Sequence, residues 1–143
     1  MRAVELGIAL IVKYWPAHVS RVLIVEDDAD LRRMFRMALM LAGYDAVEAA
    51  DGIEALRVLD VETPDAVVLD LGLPVLSGQD VRQEMAAHSH TRLMPVIVVT
   101  GQPGDHDDLD VACLLRKPVT PERLVVALQA VVSANGNGHL AMS

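Results

Sequence analysis

The sequence has little of what would cross-link a chain, anchor it in a membrane or draw it to nucleic acid. A single cysteine, Cys113, excludes an intrachain disulfide framework and a multi-cysteine zinc site, and it fits a reducing compartment. Basic charge is in deficit, with 12 Lys+Arg against 20 Asp+Glu for a formal net charge of −8. The resulting field repels a polyanion, so direct DNA binding by this chain is disfavoured. No apolar run approaches the roughly 20 residues that cross a bilayer. The run Leu6 to Val12 is too brief, and no membrane span is expected. A secretory signal lacks its parts too: Arg2 is followed by Glu5, and Pro16-Ala17-His18-Val19 is a poor cleavage site. A cytoplasmic location is the expectation. There is no internal repeat and no long low-complexity block.

What is present is apolar substance, 52% of 143 residues, enough for one compact domain. Residues 1–20 form an extension, either an extra helix packed on the domain or a loosely ordered segment, with Tyr14 and Trp15 as its packing residues. A regular pattern occupies 21–134, and 135–143 reads as a flexible, turn-rich tail. Within the regular part, continuous apolar runs occur at Val22–Val25, Ala66–Leu69, Val96–Val99 and Cys113–Leu115. They are too short for helices and lack polar alternation, which marks strands of a parallel sheet covered on both faces. A weaker strand spans Asp45 to Ala49, after a Gly43 suited to closing a helix.

Helical periods lie between the runs. Leu31, Met34, Phe35, Ala38, Leu39 and Ala42 recur at i, i+3, i+4, i+7, i+8 and i+11, with Arg32, Arg33 and Arg36 directed outward. Ile53, Leu56 and Leu59 mark a second helix, Val81 and Met85 a third after Ser77-Gly78, and Leu124, Leu128 and Val131 a last one. Thr120-Pro121 supplies the last helix with an N-cap and a proline at its first position. Between Thr100 and Cys113 there is room for a turn or two of helix at most. The expected fold is α/β, a doubly wound five-stranded parallel sheet of order 2-1-3-4-5, flavodoxin-like, with a shortened fourth helix.

Polar residues follow directly on the strand runs: Glu26, Asp27 and Asp28 after the first, Asp70 after the third, Thr100 after the fourth, Lys117-Pro118 after the fifth. In an open parallel sheet, ligands bind at the carboxyl ends of the strands, where the strand order reverses. That order sets Asp70 opposite Glu26 and Asp27. Carboxylates about 5 Å apart repel by roughly 3 kcal/mol per pair at an effective dielectric of 20, so a cation is required. A hard ion such as Mg²⁺ suits an all-oxygen set shared with a phosphate. Lys117 is one of only two lysines in the chain, the other being Lys13. Its amine adds a point charge for the same phosphate. His88 and His90 flank Ser89 at a helix end or loop and His106 lies among acids; they read as ordinary surface or loop residues, with a metal site there as the minor alternative.

Taken together, Val25-Glu26-Asp27-Asp28, Asp70-Leu-Gly-Leu-Pro with Ser77-Gly78, Val99-Thr100-Gly101 and Lys117-Pro118 resemble a response-regulator receiver domain over about residues 21 to 134. The resemblance implies that Asp70 is the phosphoacceptor and that Glu26, Asp27 and the Gly72 carbonyl join it in holding Mg²⁺. It implies that Thr100 and Lys117 meet the phosphoryl group, Lys117 across a bond to Pro118 that is often cis. Asp28 is the alternative acidic residue, a one-residue shift disfavoured because Asp28 sits nearer Asp30, taken here as the helix N-cap. A sensor histidine kinase or histidine phosphotransfer protein is the implied donor, and a downstream protein the implied recipient of the signal. The domain is expected to stand alone and not to be an enzyme.

Two departures qualify the resemblance. Leu114 stands three residues before the lysine, where many receivers carry a switching Tyr or Phe, and the fourth connection is short. Small residues at Gly72 and Gly101, with Gln102 beyond, imply a site open to water. A receiver degenerated into a phosphorylation-independent interaction module is the main alternative. A phosphohydrolase of the haloacid-dehalogenase type is weaker, because Gly72 occupies the place of that family's second aspartate.

Overall fold

The computed structural model describes residues 20–142, with side chains through Ala134. The N-terminal extension, except Ser20, lies outside the described residues. Five strands appear, β1 (Arg21–Val25), β2 (Asp45–Ala49), β3 (Ala66–Asp70), β4 (Val96–Thr100) and β5 (Cys113–Arg116). They form one parallel sheet, as the continuous apolar runs imply, and its order is β2-β1-β3-β4-β5, the order expected for this fold type. Every residue of β3 and β4 is buried, because these central strands are covered on both faces. β5 is an edge strand, and only Leu115 of its four residues is fully buried. The expectation of burial on both faces therefore fails there, since one flank has no neighbour.

Among the described residues four helices cover the sheet: α1 (Ala29–Leu41), α2 (Gly52–Val61), α3 (Gly78–Ala87) and α4 (Pro121–Met142). Strand residues alternate between two cores. Val22, Ile24, Val68 and Ile97 pack with Phe35 and Leu39 of α1 and Leu124 and Leu128 of α4. Leu23, Val25, Val67 and Leu69 pack with Ala55 and Leu59 of α2 and Val81 and Met85 of α3. Helix α2 thus buries Ala55 while Ile53 stays exposed, a rotation of the stripe read from its apolar residues. The reason is contact at its N-terminus, where a Cβ on Gly52 would stand 2.3 Å from the Leu76 carbonyl oxygen and so sets the helix against that loop.

Two caps are informative. Asp28, not Asp30, is the N-cap of α1, its carboxylate accepting from the amides of Asp30 and Leu31 at 3.0 and 3.1 Å. Asp30 instead sits in the first turn, where its charge complements the helix dipole. At α4 the Thr120 hydroxyl accepts from the Arg123 amide at 3.2 Å, the cap expected from Thr120-Pro121. Helix α4 continues to Met142, through the Asn135-Gly136-Asn137-Gly138 stretch read as a turn-rich tail. Adding a residue to an existing helix gains one hydrogen bond per residue fixed, so a long helix runs through weak formers that would not start one.

The expected short fourth helix is absent: among the described residues, β4 and β5 are joined without any helix. Gly104 takes a φ of +98°, and one turn from His106 to Leu109 follows. The local reason is composition, with Gly101, Pro103 and Gly104 ahead of Asp105, Asp107, Asp108 and Asp110, whose like charges recur at i, i+3. Arginines supply what a helix would have satisfied. Arg82 of α3, buried, donates from Nε to the Asp110 carbonyl at 2.7 Å, and Arg116 donates to the carbonyls of Gln102, at 2.6 Å, and Gly104. Leu109 and Val111 close the core beside Leu114.

Candidate functional site

The register of the central strands brings the polar strand ends together. Val25 pairs with Leu69, so the residues that follow, Glu26 and Asp70, lie level at the carboxyl edge. Thr100 pairs with Arg116, and the Lys117 amide donates to the Thr100 carbonyl at 2.8 Å. The Lys117–Pro118 peptide is cis.

Glu26, Asp27 and Asp70 place one carboxylate oxygen each within 4.8 Å of one another. The Lys117 amine reaches across from β5, 2.6 Å from Glu26 Oε1 and 3.3 Å from Asp70 Oδ2. Glu26 is 1% exposed and Asp70 6%, whereas Asp27 faces solvent. One ammonium against three carboxylates leaves the cluster short of two positive charges when all are ionised, and every donor is a hard oxygen. These residues fit a divalent ion of the Mg²⁺ kind. Asp28 is engaged in its helix cap, whereas Glu26 and Asp27 are the two acidic residues grouped with Asp70.

Burial drives the Glu26 carboxyl up to about 7 from 4.5; the Lys117 hydrogen bond opposes this and the nearby Asp70 charge adds to it. Burial alone would lower Lys117, but the Glu26 hydrogen bond and the Asp70 charge outweigh it and hold the amine above its ordinary value. For Glu26 the linkage has a definite sign. A folded pKa above the unfolded one means the folded state keeps the proton longer, so its contribution to stability is complete below about 4.5 and lost as pH rises through about 7. In the presence of a chelator, the melting temperature of the protein relative to Glu26→Gln is expected to fall between those two pH values and then level off. Melts across that window check it, and a flat difference would contradict the raised carboxyl.

The phosphoacceptor candidate is held by its loop and by α3. Asp70 Oδ1 accepts from the Gly72 amide at 3.1 Å. Leu76 N donates to the Pro74 carbonyl at 2.7 Å around Val75, whose φ of 69° is unusual for a β-branched residue. Ser77 caps α3, and Gly78 packs so closely that a Cβ there would stand 2.2 Å from the Asp70 carbonyl oxygen.

Thr100 is fully buried, its hydroxyl accepting from the Gln102 amide at 3.0 Å. Gln102 in turn accepts from the Gln79 side chain at 3.1 Å and, through its carbonyl, from Arg116. The strand-end threonine is thereby tied to α3 and to the helix-free connection. Leu114 is half-buried in the core on the α2–α3 face.

Several residues that shape the site escaped the sequence reading. Arg32, expected outward with Arg33 and Arg36, folds back to donate to the Glu26 carbonyl at 2.7 Å and to pair with Glu48 at 3.4 Å. Its place, four residues after Asp28 and facing the strand end, was the available signal. Gln102 is noted in the sequence only as lying beyond Gly101; its bridge to Gln79 carried no signal, because it joins residues 23 apart in sequence.

A family model described as the response regulator receiver domain matches residues 22–129. Among curated proteins, the chain is 33% identical over 130 residues to a probable transcriptional regulator ycf27 of Porphyridium aerugineum, covering 85% of this chain and 53% of that protein. It is 34% identical over 123 residues to the phosphate regulon transcriptional regulatory protein PhoB of Pseudomonas aeruginosa, covering 82% and 53%. The chain thus spans about half the length of these relatives. Among solved structures, chemotaxis response regulator CheY4 of Vibrio cholerae superposes with a TM-score of 0.75 at 28% identity, covering 80% of this chain and 99% of that one. The receiver domain of sensor histidine kinase PA1611 from Pseudomonas aeruginosa PAO1, described with a magnesium ion coordinated in its active-site cleft, superposes with a TM-score of 0.75 at 29% identity, covering 81% and 99%.

Proposed function

The chain belongs to the response regulator receiver domain family, and on that premise we propose that Asp70 accepts a phosphoryl group from a phosphohistidine on a sensor kinase or phosphotransfer protein. The single observation that carries this reading is the convergence of Glu26, Asp27, Asp70 and Lys117 at one strand edge. In the proposed step an Asp70 carboxylate oxygen forms a bond to phosphorus as the phosphorus–nitrogen bond of the donor breaks, and the imidazole leaves with that bonding pair.

Lys117 offsets the negative charge carried by the phosphoryl oxygens, and the Gly72 amide orients the Asp70 carboxylate. Glu26, Asp27, Asp70 and the Gly72 carbonyl are the residues that would hold Mg²⁺. When bound, the ion supplies charge neutralisation for the same oxygens. Thr100 is the hydroxyl that turns to the new acceptor oxygens, and in doing so it gives up the Gln102 amide. That exchange biases the Gln79–Gln102–Arg116 contacts and hence the connection from β4 to β5. With Leu114 in place of an aromatic switch, this polar tether is the proposed route of the signal to a downstream protein.

In this reading the domain is a regulatory phosphoacceptor and not an enzyme acting on an external substrate, and it works in the cytoplasm. Among the described residues no helix is long and apolar enough to cross a membrane. The acidic balance favours a protein partner over direct contact with nucleic acid by this domain. The test is incubation with a small phosphodonor, with and without Mg²⁺, read by intact mass. One phosphate that is lost in alkali and requires the metal is the expected product. An alkali-stable adduct, or equal uptake in chelator, would remove the proposal.

A further inference from the structure

Between α1 and the start of α4 lie two adjoining hollows of about 370 and 410 Å³, which share Ala38, Leu41 and Pro121 and so form one groove. Leu41 is 88% exposed, Val126 64% and Met37 58%, and all three line it. Apolar side chains exposed singly are ordinary, but apolar residues gathered in one groove mark a contact surface. We propose that the apolar run Leu6–Val12, in this chain's own N-terminal extension, docks in this groove.

The tether sets the reach. The Ser20 carbonyl accepts from the Asp45 amide at 3.0 Å, which fixes the start of the described chain beside the end of α1. From Val12 to Ser20 is eight residues, a span of up to about 26 Å. From Ala42 back to Arg33 a helix rises only about 14 Å, so the run can reach the whole groove. A segment tethered by so short a linker is present at an effective concentration on the order of millimolar. It therefore occupies the groove ahead of the same segment on a second copy at micromolar protein.

Composition and charge favour the same occupant. Leu6–Val12 belongs to no described element, and its seven residues carry no charge. Arg2 and Glu5 precede it and Lys13 follows it. The groove has Asp30 and Arg33 at one end and Glu122 at the other, toward Ala42. With Val12 toward Ala42, the direction that the tether favours, Lys13 comes to Glu122 while Arg2 and Glu5 come to Asp30 and Arg33. Both ends then meet opposite charge, which fixes the register of an apolar contact. The groove ends at Asp30, in the first helical turn after Glu26 and Asp27, so docking carries the extension to the carboxyl edge of the sheet.

The test is hydrogen exchange of the full chain, read by mass on the peptide that covers residues 6–12. Leu41→Glu/Val126→Glu puts charge in the groove, Ile8→Asp/Leu10→Asp puts it in the run, and Leu93→Glu, at an 82% exposed residue off the groove, is the control. The expected result is exchange at least about 10-fold slower than in the free peptide for the parent and the control, and at the free rate for the groove variant. The groove and run variants should lower the melting temperature by similar amounts and, when combined, by no more than either alone. Protection should be the same at about 1 and 100 µM protein. Exchange at the free rate in the parent, protection retained in the groove variant, or additive losses in melting temperature would each overturn the proposal. Protection that grows with concentration, together with a dimer's mass, would overturn it in favour of a second copy.

Discussion

Asp70→Asn is expected to take up no phosphate from a small donor with Mg²⁺ while melting, in chelator, no lower than the parent protein. The two halves of this result have one electrostatic origin. The amide is nearly the same shape as the carboxylate but is not a nucleophile toward phosphorus, so transfer at this position stops altogether. At the same time one negative charge leaves a group of three whose oxygens lie within 4.8 Å of one another. Each carboxylate pair at that range repels by roughly 3 kcal/mol at an effective dielectric of 20. Against this relief stands the loss of the Asp70 contact with Lys117 at 3.3 Å, and Lys117 retains its shorter bond to Glu26 at 2.6 Å. Intact mass and a thermal melt on the same sample check both halves. Full phosphate incorporation would move the phosphoacceptor elsewhere, and a large drop in melting temperature would show that Asp70 holds the fold rather than straining it.

Gly78→Ala is expected to be the most damaging single methyl group that can be added near the site. Its Cβ would stand 2.2 Å from the Asp70 carbonyl oxygen and 2.6 Å from the Leu71 Cα. Both are backbone atoms that no rotamer change can remove, so either α3 withdraws or the end of β3 bends. A cost of about 3 kcal/mol or more follows, which for a domain of this size lowers the melting temperature by roughly 10 °C. Displacement of the phosphoacceptor by about 1 Å also slows transfer by about 100-fold. Gly72→Ala provides the contrast, because its Cβ would meet Gln102 Nε2 at 3.7 Å and Asp70 Oδ1 at 3.9 Å, ordinary contact distances. Melting of the two variants side by side checks the argument. Equal stability would mean that the α3 approach is not tight, and equal loss would mean that the loop tolerates no side chain anywhere.

The contrast between these glycines shows where legibility ended. Both sit in a segment that reads as loop and helix start, and Ser77-Gly78 announces a cap. Nothing local distinguishes the glycine that faces solvent from the one pressed on a strand end, because the pressure comes from packing of α3 over the sheet. The acidic run behaved the same way. Glu26, Asp27 and Asp28 are equivalent as a run in the chain, and only packing groups the first two with Asp70. Asp28 is itself the cap, which removes it from the pocket, while Asp30 only supplements the first turn.

By itself, the sequence determined the parallel sheet, the succession of its strands along the chain and the set of polar residues at its carboxyl edge. Strands covered on both faces must be apolar throughout, so the first polar residue after each run marks where the chain leaves the core. The tertiary structure alone decided which of those residues meet. The Glu26–Lys117 pair spans 91 residues, and its length depends on three strand registers at once, those of β1 with β3, β3 with β4 and β4 with β5. It alone decided, too, that Arg32 folds inward, that arginine bonds to carbonyls replace a fourth connecting helix, and that Leu41 and Val126 of separate helices line one groove. Periodicity reports the environment on one face of one element, whereas these outcomes are set by charges and surfaces supplied from elsewhere in the chain.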